Sequence, residues 1–308
     1  MAWDVARVLE RNGDAIRKYL CTSDAQWAAL LQMANRLWDK ECEHLSDERV
    51  RTFLLACGYA AAKESGVARL AEVLTGLAAC SVPHTGAAPP QKVGTGGETP
   101  HPAEAGSALI APVEARIWLE AMPIPPLKRE GNTHVDLALG TIARRDKTDS
   151  GIELASVKSP WVCFCEMKWC ADISPDVKHF VHRNQLLRVI ENALCFQRNG
   201  RGADQVFVTL VTPAYLRNAP IKSRLYHYKY EEYSTDKRAI LWDLMAASRT
   251  DERRHEPGWF YPSSLPERVE TLTLRWVTYD DLMEHLPASP IQRDVLDFWE
   301  QAETAGSR

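Results

Sequence analysis

The chain has 308 residues, 45% of them hydrophobic and 25% charged, with a formal net charge of −4 at pH 7. That length and balance describe a soluble globular protein with one large or two modest cores. They exclude a global polycation that would coat itself with nucleic acid, while leaving room for a local basic surface.

The eight cysteines are Cys21, Cys42, Cys57, Cys80, Cys163, Cys165, Cys170 and Cys195, with no CxxC pair among them. They predict reduced, buried thiols rather than a disulfide framework. Cys163 and Cys165 share a strand face, and buried thiols acting as small apolar side chains explain them better than a zinc site. The first residues carry early acids and no apolar signal core. No uncharged run approaches the ~20 residues of a membrane helix. The expectation is a cytoplasmic protein with no membrane partner.

Trp3, Val5, Ala6, Val8 and Leu9 start a helical pattern that Ile16 and Leu20 continue. Ser23 with Gln26 reads as a capping box for a second helix carrying Trp27, Leu30, Leu31, Ala34, Leu37 and Trp38. Ser46, Asp47 and Glu48 open a third, the acids suiting the positive helix end. Ala-rich turns then run to Cys80. Residues 1–80 therefore predict a small all-α domain, with a face available to a protein partner. Residues 81–108 hold five Pro and five Gly and almost no large apolar side chains, the composition of a flexible linker. The GTGGE inside it is no phosphate loop, since it lacks the GK[ST] ending and a strand–helix setting.

Residues 109–308 predict a second domain. APVEARIWLEAM reads as a helix with Pro112 in its first turn. HVDLALGTIA and, more weakly, GIELASV read as strands, and WVCFCEMKW as a strong central strand. VKHFVHRNQLLRVIENALCFQ predicts a long helix stopping near Gly200. DQVFVTLVTP is a continuous apolar strand closed by Pro213, the pattern of a strand covered on both faces. IKSRLYHYKYEEY mixes basic residues with tyrosines, as a nucleic-acid contact or as a half-exposed strand or loop over the core. ETLTLRWVTYDDLMEHL is a strand entering a helix capped by Thr278. ASPIQRDVLDFWEQA is a last helix with Ser289 as cap and Pro290 at its first position. The fold class is α/β, a layered sandwich on a mixed sheet.

Two charges interrupt the central strand. Side chains alternate with period two, so Glu166 and Lys168 share one face. Asp136 opens its own apolar strand, and pairing of the two strands would bring it beside Glu166. Adjacent carboxylates repel unless a cation joins them, and oxygen ligands of that density suit Mg²⁺ or Mn²⁺. Such an ion activates water and neutralises phosphate charge, and Lys168 would orient or deprotonate the attacking water and stabilise the developing charge.

Glu114, then Asp136 at a strand start, then EMK on the next strong strand, resembles the PD-(D/E)xK phosphodiesterase superfamily over roughly residues 110–215. The resemblance implies a restriction-endonuclease-like αβββαβ core and a metal-dependent nuclease acting on DNA, in restriction, repair or phage defence. It implies Asp136, Glu166 and Lys168 as catalytic residues, with Asp136, Glu166 and the accessory acid Glu114 holding Mg²⁺ or Mn²⁺. It also implies that Arg183, Gln185 and Arg188 on the following helix meet the nucleic acid. Glu153 stays open as a replacement for Asp136. Val135 stands where the motif often has Pro, and Val189 stands where an exonuclease-type Q-x-x-x-Y would need Tyr. The alternative reading is a non-catalytic nucleic-acid- or partner-binding protein on the same fold.

Overall fold

A computed structural model describes residues 5–39, 48–77, 79–80, 109–110, 116–169, 171–175, 183–218, 224–247 and 253–306. The expected linker at 81–108 and the expected acid Glu114 lie outside the described residues.

In chain order, α1 (Val5–Tyr19) runs into the two-residue strand β1 (Leu20–Cys21). Helix α2 (Asp24–Asp39) follows behind the predicted capping box. Gln26 N donates to Ser23 Oγ at 3.1 Å, and Ser23 N to Gln26 Oε1 at 2.9 Å. α3 (Glu48–Ala61) and α4 (Lys63–Thr75) complete the helical part, and α4 ends on Gly76 at φ 73°. A short parallel pair joins β2 (Ala79–Cys80) to β3 (Leu109–Ile110). Next come β4 (Ile117–Ala121), β5 (Val135–Gly140), the hairpin β6 (Ile142–Arg144) and β7 (Ile152–Leu154), and β8 (Trp161–Met167). Helix α5 (Gln185–Leu194) leads to the hairpin β9 (Gln197–Arg198) and β10 (Arg201–Gly202), then to β11 (Gln205–Thr212). α6 (Ala214–Asn218), α7 (Leu225–Thr235) and α8 (Lys237–Ala247) precede the hairpin β12 (His255–Glu256) and β13 (Trp259–Phe260). The chain closes with α9 (Leu265–Thr271), β14 (Leu272–Thr278), α10 (Tyr279–Glu284) and α11 (Gln292–Gly306).

Six strands form one mixed sheet in the order β1-β4-β5-β8-β11-β14. β5 is antiparallel to both β4 and β8, whereas β11 runs parallel to β8 and β14. β8 and β11 are interior strands, each paired on both sides, and are buried along almost their whole length, as their unbroken apolar runs require. Trp161, Cys163, Cys165 and Met167 face one core with α1–α4, α10 and α11. Val162 and Phe164 face the other, with α5 and α7–α9.

The first core corrects the expected all-α domain at 1–80. Leu9, Phe53, Val67 and Leu70 share one cluster with Ile117, Leu137 and Phe207, and β1 pairs in parallel with β4 at Leu20–Ile117 and Cys21–Trp118. The N-terminal helices are therefore one cover of the sheet, because their apolar stripes have that bare face to bury.

The helix expected at 111–122 is strand β4 over its described part. Ile117 and Leu119 enter one core while Trp118 and Ala121 enter the other, so two-sided burial overrides the helix propensity of Ala, Glu and Leu. The helix expected over 177–197 is α5 in its described part, starting at Gln185 and ending at Leu194 rather than near Gly200. Asn184 caps it by accepting from Leu187 N at 2.8 Å, and Gly200 instead turns the β9–β10 hairpin. The tyrosine-rich segment, expected as strand or loop, forms α7 from Leu225 onward. Thr278 caps α10 in a reciprocal box with Asp281, at 2.8 and 3.0 Å. Ser289 does not cap by its side chain; its carbonyl accepts from Gln292 N at 3.2 Å. Cys57, Cys163, Cys165 and Cys195 are buried free thiols, and Cys21 is buried beside Arg116.

Candidate active site

Leu137 of β5 is opposite Cys165 of β8, and Ala138 is opposite Phe164. One further step along that register sets Asp136 opposite Glu166, where facing residues share one side of the sheet and stand ~5 Å apart at Cβ. Asp136 Oδ2 accepts from Met167 N at 2.8 Å, which fixes the carboxylate against the end of β8. On the other flank Lys168 N donates to Val211 O at 2.8 Å. The EMK end is thus held from both neighbouring strands.

Lys168 Nζ lies 3.0 Å from Glu166 Oε1 and 3.1 Å from Glu48 Oε1. Glu48 is the first residue of α3, and its other oxygen accepts from Trp169 N at 3.2 Å. The Arg51 guanidinium lies 3.4 Å from the Trp169 ring centroid and 5.0 Å from that of Trp299. Trp169 also meets Tyr279 edge-on. This stack pins the start of α3 to the end of β8. From the opposite layer, the N-terminus of α5 supplies Gln185 and Arg188, which line a cavity of about 410 Å³ with Glu48, Glu120 and Asp136. Helix N-termini favour anions, and two of them flank this acidic sheet end.

Burial raises the carboxyl of Asp136 to about 6, against the pull of Lys168 and the hydrogen bond from Met167. Burial, then the charge of Asp136, raises Glu166 to about 8, Lys168 acting against both. Glu48 is raised by burial too, with Lys168 opposing. For Lys168 burial favours the neutral amine, but Glu166, Glu48 and Asp136 together outweigh it and lift its pKa. Acids held above their ordinary range are short of positive charge, and a divalent cation would supply it.

A further acid belongs to this wall. Glu120 has φ 47° inside strand β4, a left-handed conformation that costs an L-residue of order 1–3 kcal/mol. Its carbonyl accepts from Gln26 Nε2 at 3.3 Å and lies 3.2 Å from His134 Nδ1. Its carboxylate lies 3.6 Å from His134 Nδ1 and 3.9 Å from Arg49 Nε.

Of the residues expected from sequence, the structure gathers Asp136, Glu166, Lys168, Gln185 and Arg188. Arg183 is the correction. It is fully buried between Glu130 at 2.7 Å and Glu191 at 2.6 Å, so no nucleic acid reaches it. Its helical-face assignment failed because residue 183 precedes α5. Glu153 lies in the β6–β7 hairpin, 3.4 Å from Arg198, and Asp136 holds the place beside β8. Sequence reasoning missed Glu48 and Glu120. Glu48 carried only the signal of an acid in a helix first turn; nothing local marked Glu120.

The donor set fits a divalent cation in chemistry: two facing carboxylates with a third on the lysine, the rest of the shell left to water. Among the described residues no group of three or more His, Cys, Asp or Glu side chains has metal-holding geometry. Among the described residues no helix is long and apolar enough to cross a membrane. No family model, curated protein or solved structure matches the chain.

Proposed function

We propose that the protein is a divalent-metal-dependent nuclease that hydrolyses phosphodiester bonds in DNA. The observation that carries the reading is Asp136 set opposite Glu166 with the Lys168 ammonium 3.0 Å from Glu166. The order of helical cover, β4, β5, β8, α5 and β11 supports a restriction-endonuclease-like αβββαβ core for this part of the chain. Asp136 and Glu166 are the proposed ligands for Mg²⁺ or Mn²⁺, with Glu48 in the accessory place expected of Glu114. When bound, such an ion lowers the pKa of a coordinated water and offsets charge on a phosphate oxygen. Lys168 keeps its proton in the arrangement described, so its part is to orient water and neutralise charge building on the phosphoryl oxygens. Gln185 and Arg188, which line the cavity at the α5 N-terminus, would steady the substrate phosphate there.

A second reading has its own observation. Lys168 is satisfied by two carboxylates at once, as in a structural ion-pair cluster on a protein that binds nucleic acid without cutting it. Incubation with plasmid and oligonucleotide DNA separates the two. The nuclease reading expects cleavage that needs Mg²⁺ or Mn²⁺, stops with chelator, and disappears in Lys168→Ala and Asp136→Asn. Wild-type protein that cuts no form of DNA with either ion sinks it.

A further inference from the structure

The opposite end of the sheet carries a basic corner that the catalytic reading does not use. A cavity of about 370 Å³ there is lined by Leu154, Ala155, Ser156, Arg198, Asn199 and Arg201. The β9–β10 hairpin turns through Asn199 at φ 51° and Gly200 at φ 78°, the pair of positive values that a tight two-residue turn needs. That turn sets Arg198 directly opposite Arg201. Like charges facing each other weaken a ladder, so the hairpin keeps the pair at a cost to itself.

Compensation within the chain is partial. Glu153 Oε1 lies 3.4 Å from Arg198 Nε, while among the described residues no acid lies within ion-pair distance of exposed Arg201. A third guanidinium, that of Arg268, packs against Gly202, where a Cβ would come within 2.2 Å of its Nη2. That nitrogen has no hydrogen-bond partner among the described residues. The exposed pair Arg198 and Arg201 presents guanidinium donors that suit an acceptor-rich anion, and half-buried Arg268, its Nη2 out of reach of solvent, adds positive charge behind them.

We propose that this corner is an exosite that grips the phosphodiester backbone of duplex DNA away from the Asp136–Glu166 site. The identity of the anion rests on the nuclease reading; the basic corner itself does not. β8 spans the gap, from Trp161 at the exosite end to Met167 at the other. Seven residues at ~3.3 Å each give roughly 20 Å, or about six base pairs of duplex.

The test is fluorescence anisotropy of the full chain with a labelled duplex of about 20 base pairs, in chelator and across a salt series. Arg198→Ala with Arg201→Ala should weaken binding on the order of tenfold near 0.1 M salt and lower the salt slope by about 2. Arg201→Glu, a single exposed change, should weaken it at least as much as Arg201→Ala and guards against a misfolded double variant. Unchanged affinity and slope in these variants overturns the exosite, as does a wild-type chain that binds no duplex DNA. Binding of duplex RNA alone overturns the DNA assignment. Arginine-dependent binding without any metal-dependent cleavage would uphold the exosite while removing the nuclease reading.

Discussion

Glu48 and Lys168 are 120 positions apart in the chain, and their charged groups meet at 3.1 Å. The first belongs to the helical cover and the second to the end of the central strand, so this contact ties the two layers at the candidate site. It also divides the lysine between two acids, because Glu166 stands equally close on the other side.

Lys168→Ala should lower cleavage by at least about 10²-fold, the usual scale for losing a positioned charge or proton-transfer group. The same change leaves Glu166 and Glu48 buried without their cation, so both should take up protons more readily. Gel-based cleavage alongside thermal melting separates the two effects. Lost activity with an unchanged fold is the expected outcome.

Glu48→Gln should keep the Trp169 N contact through the amide oxygen but remove the charge. Cleavage should fall about tenfold or more, with a higher Mg²⁺ concentration needed for half-maximal rate, if the acid acts on the cation. A rate unchanged at every Mg²⁺ concentration would assign Glu48 to packing alone.

The pH dependence follows from Asp136 at about 6 and Glu166 at about 8. Both lie above their unfolded values, so the folded chain binds more protons than the unfolded one over roughly pH 4 to 8. Their contribution to stability therefore declines as pH rises through that window. Melting in chelator should give a contribution falling from pH 5 to 9, and Asp136→Asn with Glu166→Gln should flatten it. On the nuclease reading Mg²⁺ would replace those protons, so its affinity should rise over the same range. A double variant with the wild-type pH profile would contradict the assignment.

Arg51→Ala should destabilise the fold by about 2–4 kcal/mol, since it removes a buried guanidinium stacked on Trp169 together with its packing. Arg51→Lys should recover little of this, because an ammonium cannot reproduce the planar stack. Denaturant unfolding measures both, and full rescue by lysine would rule out the stacking account.

Arg183→Leu should cost about 3–5 kcal/mol by stranding Glu130 and Glu191, which it joins at 2.7 and 2.6 Å. It should leave the salt slope of DNA binding unchanged. A lower slope would return Arg183 to the nucleic-acid surface.

The charge cluster at the strand end was legible because charges in an apolar strand are costly and therefore conspicuous. Period two placed Glu166 and Lys168 on one face, and the observed 3.0 Å contact agrees. The capping signals at Ser23 and Thr278 were equally readable, since a cap is settled within four residues. Ile117 to Ala121 misled because five residues of Ile, Trp, Leu, Glu and Ala suit either period; strand pairing with Leu20 and Leu137 decides it. Glu48 could not be found at all, because the contact that matters depends on how α3 lands on the sheet. Arg183 failed for the same reason in reverse: its partners, Glu130 and Glu191, are brought by the fold.

The parallel pairing of β1 with β4 has a practical consequence for dissecting the molecule. The first 80 residues donate an edge strand and a whole hydrophobic lid to a sheet built from the rest. Expressed alone, residues 109–308 would offer Ile117, Leu139 and Phe207 to water and should clump. A chain severed between residues 81 and 108 should instead behave as a split protein, two pieces that copurify and separate only on denaturation. Mixing the pieces would then assemble the Glu48–Lys168 contact from separate polypeptides, and on the nuclease reading cleavage of DNA would report their reunion.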